Sequence, residues 1–144
     1  MELHIIPPFT FLNAFAAAII AIIYISLMSI VAEPNRQKLN AIILAGAGAA
    51  YLRGGFGAGE FAFCAVMTFV AFKGLEDYRL IAFGWLLHTG WDLLHHLYGN
   101  AIVPFDTSSS AGCAVCDSIL AIWFFLGAPN VFNLIKGNAK TVRV

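Results

Sequence analysis

The chain of 144 residues is 60% hydrophobic and 11% charged, with a mean hydropathy of +0.83, whereas soluble domains carry about 25% charged residues. Its 8 basic and 8 acidic residues cancel, so no cationic surface is available for a nucleic-acid backbone, and its three cysteines are too few for a disulfide framework. The composition predicts a protein embedded in a lipid bilayer and excludes a nucleic-acid-binding domain, a disulfide-rich scaffold and a disordered chain.

The chain is predicted to form one all-α membrane domain over residues 1–144, a bundle of about five transmembrane helices. The first apolar segment contains no charge and, at 1.5 Å per residue, exceeds the roughly 30 Å hydrocarbon core of a bilayer. Because Glu2 and no basic residue precedes this segment, we expect a retained helix rather than a cleavable signal peptide. The predicted helices cover residues 9–32, 38–55, 57–74, 79–98 and 109–127.

The second predicted helix carries small residues at a regular spacing. Ala41, Ala45 and Ala49 recur every four residues, which lets membrane helices approach closely. We expect this face to support helix packing, within the chain or between copies of it in a homo-oligomer. The second and third segments are short for full crossings, so a re-entrant hairpin, which other protein must shield from lipid, is the alternative.

The basic residues predict the orientation in the membrane. With five crossings, one side receives seven of the eight basic residues and the other receives only Arg53. Because cytoplasmic loops are enriched in Lys and Arg, we expect the N-terminus outside and the C-terminus in the cytoplasm. The seven residues are Arg36, Lys38, Lys73, Arg79, Lys136, Lys140 and Arg143. The last three lie in what we expect to be a short tail after the fifth helix.

The fourth predicted helix contains an unusual group of ionisable residues. At about 100° per residue, Asp92 lies about 40° from His88, His95 lies about 20° to the other side, and His96 lies about 80° away. All four therefore share one face of the helix. Ionisable groups at this depth cost about 2.5–3.5 kcal/mol each, so this face must contact protein or water rather than lipid.

Carboxylates and thiols from two neighbouring helices are expected near this face. Asp117 lies about 10 Å below the start of the fifth helix, a depth similar to that of Asp92 on the antiparallel fourth helix. Glu60 begins the third helix on the same outer side. Cys113 and Cys116, at the start of the fifth helix, belong to the same group. The predicted cluster therefore lies between three helices in the outer half of the membrane.

Histidine and aspartate spaced at i, i+4 and i+7 can present nitrogen and oxygen ligands to a divalent transition metal such as zinc or iron. The predicted metal ligands are His88, Asp92 and His95. The residues expected to assist them are Asp117, Glu60 and His96. Of these, Asp117 or Glu60 would be a further ligand or the general base, and His96 a proton relay.

A metal at this position favours a hydrolytic or oxidative reaction on a lipophilic small molecule, with the ion activating water or a substrate oxygen. The sequence leaves open whether the protein is an enzyme. The same residues suit a path for protons or metal ions, or the polar face of a helper subunit in a membrane complex. They would also suit a group that only hydrogen-bonds across helices to fix the bundle.

Redox and haem chemistry are further alternatives. The Cys113-x-x-Cys116 pair at a helix N-terminus resembles the pair of membrane thiol oxidases. Those enzymes generally use a second cysteine pair, and this chain has only Cys64 left. Haem ligation by two histidines needs facing helices, so it would require a dimer or another subunit.

Several short motifs are spread over most of the chain: RQKL at 36–39, AGAGAAYL at 45–52, GWLLH at 84–88, WD at 91–92, HHLYGN at 95–100, Pro104, and GCAV at 112–115. On these motifs the chain resembles a family of small, uncharacterised bacterial integral membrane proteins, a domain of unknown function. The resemblance implies a multi-pass protein of the bacterial inner membrane and implies nothing about the substrate.

Overall fold

The computed structural model describes residues 6–141, with side chains as far as residue 136. The described residues form six helices and no strand, which confirms the predicted all-α class. The helices are α1 (Phe11–Ile30), α2 (Asn35–Gly48), α3 (Ala58–Gly74), α4 (Tyr78–Tyr98), α5 (Ser109–Phe125) and α6 (Val131–Thr141).

Two helices differ from the prediction. The second helix was expected over 38–55 but ends at Gly48, because the chain then turns through residues where Gly55 and Gly57 adopt positive φ angles of 107° and 58°. The tail after residue 130, for which the sequence predicts no helix, forms α6. Asn130 caps α6, since its side-chain oxygen accepts the backbone N–H groups of Phe132 and Asn133 at 3.0 and 3.2 Å.

Helix α4 lies at the centre of the bundle. It packs along α5 and also contacts α2 and α3, while α1 covers the other side of α5. The small residues of α2 serve this packing within the chain. Ala41 is buried, and a Cβ atom at Gly48 would overlap the side chain of Met67 in α3.

The connections from α1 to α6 alternate between two ends of the bundle. At one end, the Tyr78 hydroxyl donates to Glu33 at 2.7 Å, and the Arg36 guanidinium donates to the Ala128 carbonyl at 2.8 Å. At the other end, the Asn100 N–H donates to the Gly54 carbonyl at 2.9 Å. Among the predicted basic residues, the Lys140 side chain and Arg143 lie outside the described residues.

The surface of the protein is apolar and its interior contains polar side chains. Large hydrophobic residues are exposed on all six helices, including Phe11 at 85% and Phe125 at 69%. Helix α1 is long and apolar enough to cross a membrane. The buried polar and charged residues are Ser29, Arg36, Asn40, Glu60, His88, Asp92, His95, Ser108, Ser110 and Asp117. These polar side chains lie beside a core of buried apolar residues that includes Leu44, Met67 and Phe124.

Candidate metal centre

The polar face of α4 points into the bundle. Asp77 caps the N-terminus of the helix, since its side chain accepts the Arg79 N–H at 2.8 Å. From there the helical period places His88, Asp92 and His95 on the side that faces the interior of the bundle. All three are at least 97% buried. The buried face is therefore the one that the spacing of the residues predicts.

His88, Asp92 and Asp117 converge at one point between α4 and α5. His88 Nδ1 lies 2.7 Å from Asp117 Oδ2 and 3.4 Å from Asp92 Oδ2. One ligand atom from each residue lies within 4.8 Å of the other two, and all three residues are buried. Ligands that share a transition metal at about 2.0–2.2 Å must lie within about 4.5 Å of each other. This group can hold a metal ion, and we call it the metal centre.

The hydrogen bonds of His88 orient its ring towards the two carboxylates. Its Nε2 lies 2.9 Å from the Ala47 carbonyl oxygen, which can only accept, so Nε2 carries the proton. The 2.7 Å contact between Nδ1 and Asp117 Oδ2 then needs a proton between the two atoms, and where a metal ion replaces that proton, Nδ1 presents its lone pair to the ion. A metal-binding histidine typically donates its other ring N–H to a carbonyl in this way.

Asp92 is fully buried and has one satisfied oxygen. Its Oδ1 accepts the hydroxyl proton of Tyr51 at 2.7 Å, and the Tyr51 oxygen lies 2.9 Å from Ser110 Oγ. Ser110 in turn accepts the Ile102 N–H at 3.2 Å, which leaves its own proton for Tyr51. The hydrogen bonds therefore run from Ser110 through Tyr51 to Asp92, which is the final acceptor. Asp92 Oδ2 has no hydrogen-bond partner among the described residues and faces His88.

The charges at the centre require a cation. Two carboxyl groups and a histidine nitrogen meet at a buried point, and a buried carboxylate without a partner costs several kcal/mol. Either a proton on one of the three groups or a metal ion between them removes this cost. The donor set of one nitrogen and two oxygens suits zinc or ferrous iron.

His95 and Glu60 form a second buried pair nearer the end of α4. Glu60 Oε1 lies 3.3 Å from His95 Nε2, and Glu60 also accepts the Trp91 indole N–H at 3.2 Å and the Phe56 N–H at 3.2 Å. The His95 ring stacks on Tyr51, with ring centroids 3.9 Å apart and planes 7° apart. Tyr51 therefore contacts this pair with its ring and the metal centre with its hydroxyl.

A cavity of about 510 Å³ opens beside this pair, at the end of the bundle where α2 and α4 finish. Tyr51, His95 and His96 contribute to its wall. His96 also contacts Phe9 edge-on, with ring centroids 6.4 Å apart. Tyr51 thus separates the cavity from Asp92.

Comparison with known protein families gives a match over most of the chain. The model of a family of unknown function (DUF6010) matches residues 12–130. The chain belongs to the DUF6010 family. This confirms the predicted resemblance to an uncharacterised family, and the match includes every residue of the metal centre. No curated protein and no solved structure matches the chain.

In this DUF6010 protein the predicted site residues separate into two groups. The structure brings His88 and Asp92 together with Asp117. Asp117 is thus the third residue of this group, where the sequence predicts His95. His95 instead lies beside Glu60, and His96 lies on the cavity wall.

The three cysteines are free and partly exposed: Cys64, Cys113 and Cys116.

Sequence reasoning missed Tyr51 and Ser110. Tyr51 lies in the turn after α2, so no helical period fixes its direction, and Ser110 is one of three consecutive serines. The signal that was available for Tyr51 is a polar aromatic residue that follows a run of six small residues. For Ser110 we find no comparable signal in the sequence.

Proposed function

We propose that this DUF6010 protein is a multi-pass membrane protein that binds one divalent transition-metal ion, zinc or iron, through His88, Asp92 and Asp117. The ion serves a hydrolytic or oxidative reaction on a lipophilic substrate. The observation that carries the proposal is the convergence of these three buried side chains around Asp92 Oδ2, which lacks any other partner among the described residues. An ion at this point satisfies Asp92 Oδ2, Asp117 Oδ2 and His88 Nδ1 together.

The number of ligands favours a reactive ion over a structural one. Structural zinc sites are closed by four protein ligands, whereas catalytic sites keep three and leave a position for water or substrate. Here the described part of the chain supplies three. In such a site the ion lowers the pKa of bound water or polarises a substrate oxygen. Tyr51 lies between Asp92 and the cavity, so a substrate in the cavity is one side chain away from the centre.

The distribution of polarity supports insertion in a membrane. Exposed apolar side chains cover all six helices, while the ionisable side chains of the centre are buried, as expected where lipid replaces water. The alternating connections also keep Arg36, Lys38, Lys73 and Arg79 near one end and Arg53 near the other. We therefore propose five crossings in a bacterial inner membrane, with the N-terminus outside and the C-terminus in the cytoplasm.

Labelling of single cysteines tests this topology. In a background without native cysteines, Arg53→Cys is expected to react with a membrane-impermeant maleimide added to intact cells or spheroplasts. Lys73→Cys, at the opposite end of α3, is expected to react only after the membrane is opened. Equal labelling of both positions in sealed cells would contradict the proposed crossings.

Metal analysis tests the proposed ligands. Protein purified in detergent without added metal is expected to contain close to one zinc or iron per chain, and Asp92→Asn and Asp117→Asn are expected to lose it. Glu76→Gln, which removes an exposed carboxylate in the turn between α3 and α4, is the matched control and keeps the metal. Metal-free wild-type protein that also fails to bind added zinc or iron would refute the proposal.

Ion transport is the second candidate function. Tyr51 connects the cavity to Asp92, so a polar path leads from one end of the bundle to the metal centre. Transport of protons or metal ions would use the centre as a binding step, without bond cleavage. Uptake of zinc or iron, or movement of protons, into proteoliposomes would favour this function. Bound metal without any flux would favour the enzyme.

A further inference from the structure

The described residues that form the wall of the 510 Å³ cavity include hydrogen-bond donors and no acidic residue. Its polar side chains are Tyr51, Arg53, His95, His96, Asn100 and Thr107. The apolar part of the wall includes Pro7, Ile102 and Pro104. Among the described residues that line the cavity, Arg53 is the only charged one, while Glu60 is outside this wall and pairs with His95.

Several of these groups have no partner within the described part of the chain. Arg53 forms no ion pair and no side-chain hydrogen bond with a described residue, although it lies within reach of the cavity. His95 is 1% exposed; its Nε2 pairs with Glu60 Oε1 at 3.3 Å, whereas its Nδ1 has no hydrogen-bond partner among the described residues. His96 Nδ1 is also buried and without a hydrogen-bond partner. Buried nitrogens are rarely left in this state, which indicates a site built for a ligand.

We infer that this cavity binds the anionic headgroup, a phosphate or carboxylate, of a lipophilic molecule, and that Arg53 is the principal contact. A guanidinium matches these two groups because its N–H donors reach two oxygens at once. His96 and Asn100 offer further donors beside it, and the apolar wall contacts the first carbons of the chain. The inference rests on the proposed function and deepens it, since it names the substrate class of the enzyme.

The position of Arg53 supports an amphiphile as the ligand. In the proposed topology Arg53 lies at the outer surface, the depth at which the headgroups of lipids lie, and an arginine there can extend its guanidinium out of the hydrocarbon. Tyr51 contributes to the same wall and hydrogen-bonds Asp92. A headgroup held at Arg53 therefore places the adjacent bonds of the molecule on the side of the cavity nearest the metal centre.

Titration of the purified protein in a neutral detergent tests this inference. Dodecyl phosphate is the probe, with inorganic phosphate as the arm that distinguishes a free ion from a headgroup. We expect saturable binding of one dodecyl phosphate per chain and at least tenfold weaker binding to Arg53→Gln, because a hydrogen-bonded charge contact of this kind is lost. Arg79→Gln, which removes an exposed arginine at the opposite end of α4, is the matched control and is expected to bind like the wild type.

Each outcome of this titration decides the inference. Equal binding to wild-type protein and Arg53→Gln would overturn it. Inorganic phosphate that binds as tightly as dodecyl phosphate, with the same dependence on Arg53, would overturn the assignment to a lipophilic ligand. Arg53→Lys keeps the charge but not the planar donors, and it is expected to show intermediate affinity; affinity as low as that of Arg53→Gln would contradict recognition by charge.

The test separates this inference from the proposed metal function. Arg53→Gln is expected to keep its metal, because Arg53 does not contact the metal centre. If wild-type protein lacks metal yet binds dodecyl phosphate through Arg53, the metal proposal fails and the headgroup site stands. If the protein holds metal but ignores dodecyl phosphate, the headgroup site fails and the metal proposal stands.

Discussion

Replacement of Tyr51 by phenylalanine is the sharpest perturbation of the metal centre, because it removes one hydroxyl and keeps the ring. The hydroxyl donates to Asp92 Oδ1 at 2.7 Å, while the ring stacks on His95 with centroids 3.9 Å apart. The variant therefore deletes the contact that orients Asp92 and leaves the packing around His95 in place. Its effect reports on the orientation of Asp92 rather than on the volume of the core.

The expected loss follows from the charge on Asp92. A hydrogen bond to a charged group contributes about 1.5–3 kcal/mol, and 1.4 kcal/mol corresponds to a tenfold change in affinity. Tyr51→Phe is therefore expected to weaken zinc binding by about tenfold to a hundredfold. The same range is found when partners that orient metal ligands are removed from other proteins.

Competition between the protein and a zinc-chelating dye in detergent solution measures this change. Tyr98→Phe is the matched control, because Tyr98 is 70% exposed at the end of α4, and its zinc affinity is expected to equal that of the wild type. Thermal unfolding provides a second reading, since weaker binding reduces the stabilisation that added zinc gives. Wild-type zinc affinity in Tyr51→Phe would refute the role assigned to the Tyr51 hydroxyl.

Two further predictions concern stability, measured by thermal unfolding in detergent. Gly54→Ala is expected to lose about 1–3 kcal/mol, because its Cβ would overlap the His95 ring; unchanged stability would contradict this close contact. Gly46→Ala, whose Cβ meets nothing within 4 Å, is the control and is expected to gain about 0.5–1 kcal/mol. For Arg36→Gln we expect the free energy of unfolding to fall by at least about 2 kcal/mol, because the backbone carbonyls of Ala128 and Val31 lose the guanidinium that donates to them. Its zinc affinity is expected to stay unchanged, and a weakened affinity would show that the two ends of the bundle are coupled.

The sequence predicts the buried face of α4 because the helical period fixes the direction of each side chain. It also predicts that Asp117 lies near Asp92. The two residues lie at a similar depth below the same end of two antiparallel helices, α4 and α5. The choice of His95 as a ligand beside His88 overlooks the distance along the axis. Seven residues separate His95 from His88 by about 10 Å along the helix axis, and the His95 ring lies beside Glu60 rather than with His88, Asp92 and Asp117. Asp117 fills that place from the adjacent helix.

The parts of the site outside regular helices were not predictable from periodicity. Tyr51 lies in the turn where α2 gives way to residues with positive φ angles, and its side chain reaches Asp92 only because that turn folds back over α4. The cavity has the same origin, since its wall combines this turn with the loop between α4 and α5. Such a wall depends on tertiary packing, which a pattern of apolar residues does not encode.

X-ray absorption at the zinc edge of the zinc-loaded protein tests the central claim most directly. Ligation by His88, Asp92 and Asp117 predicts a shell of nitrogen and oxygen at about 2.0–2.1 Å with the outer-shell scattering of one imidazole. The spectrum of Asp117→Asn is expected to lose this shell along with the bound zinc. A sulfur shell at about 2.3 Å, which would come from Cys113 and Cys116, would contradict the proposed centre.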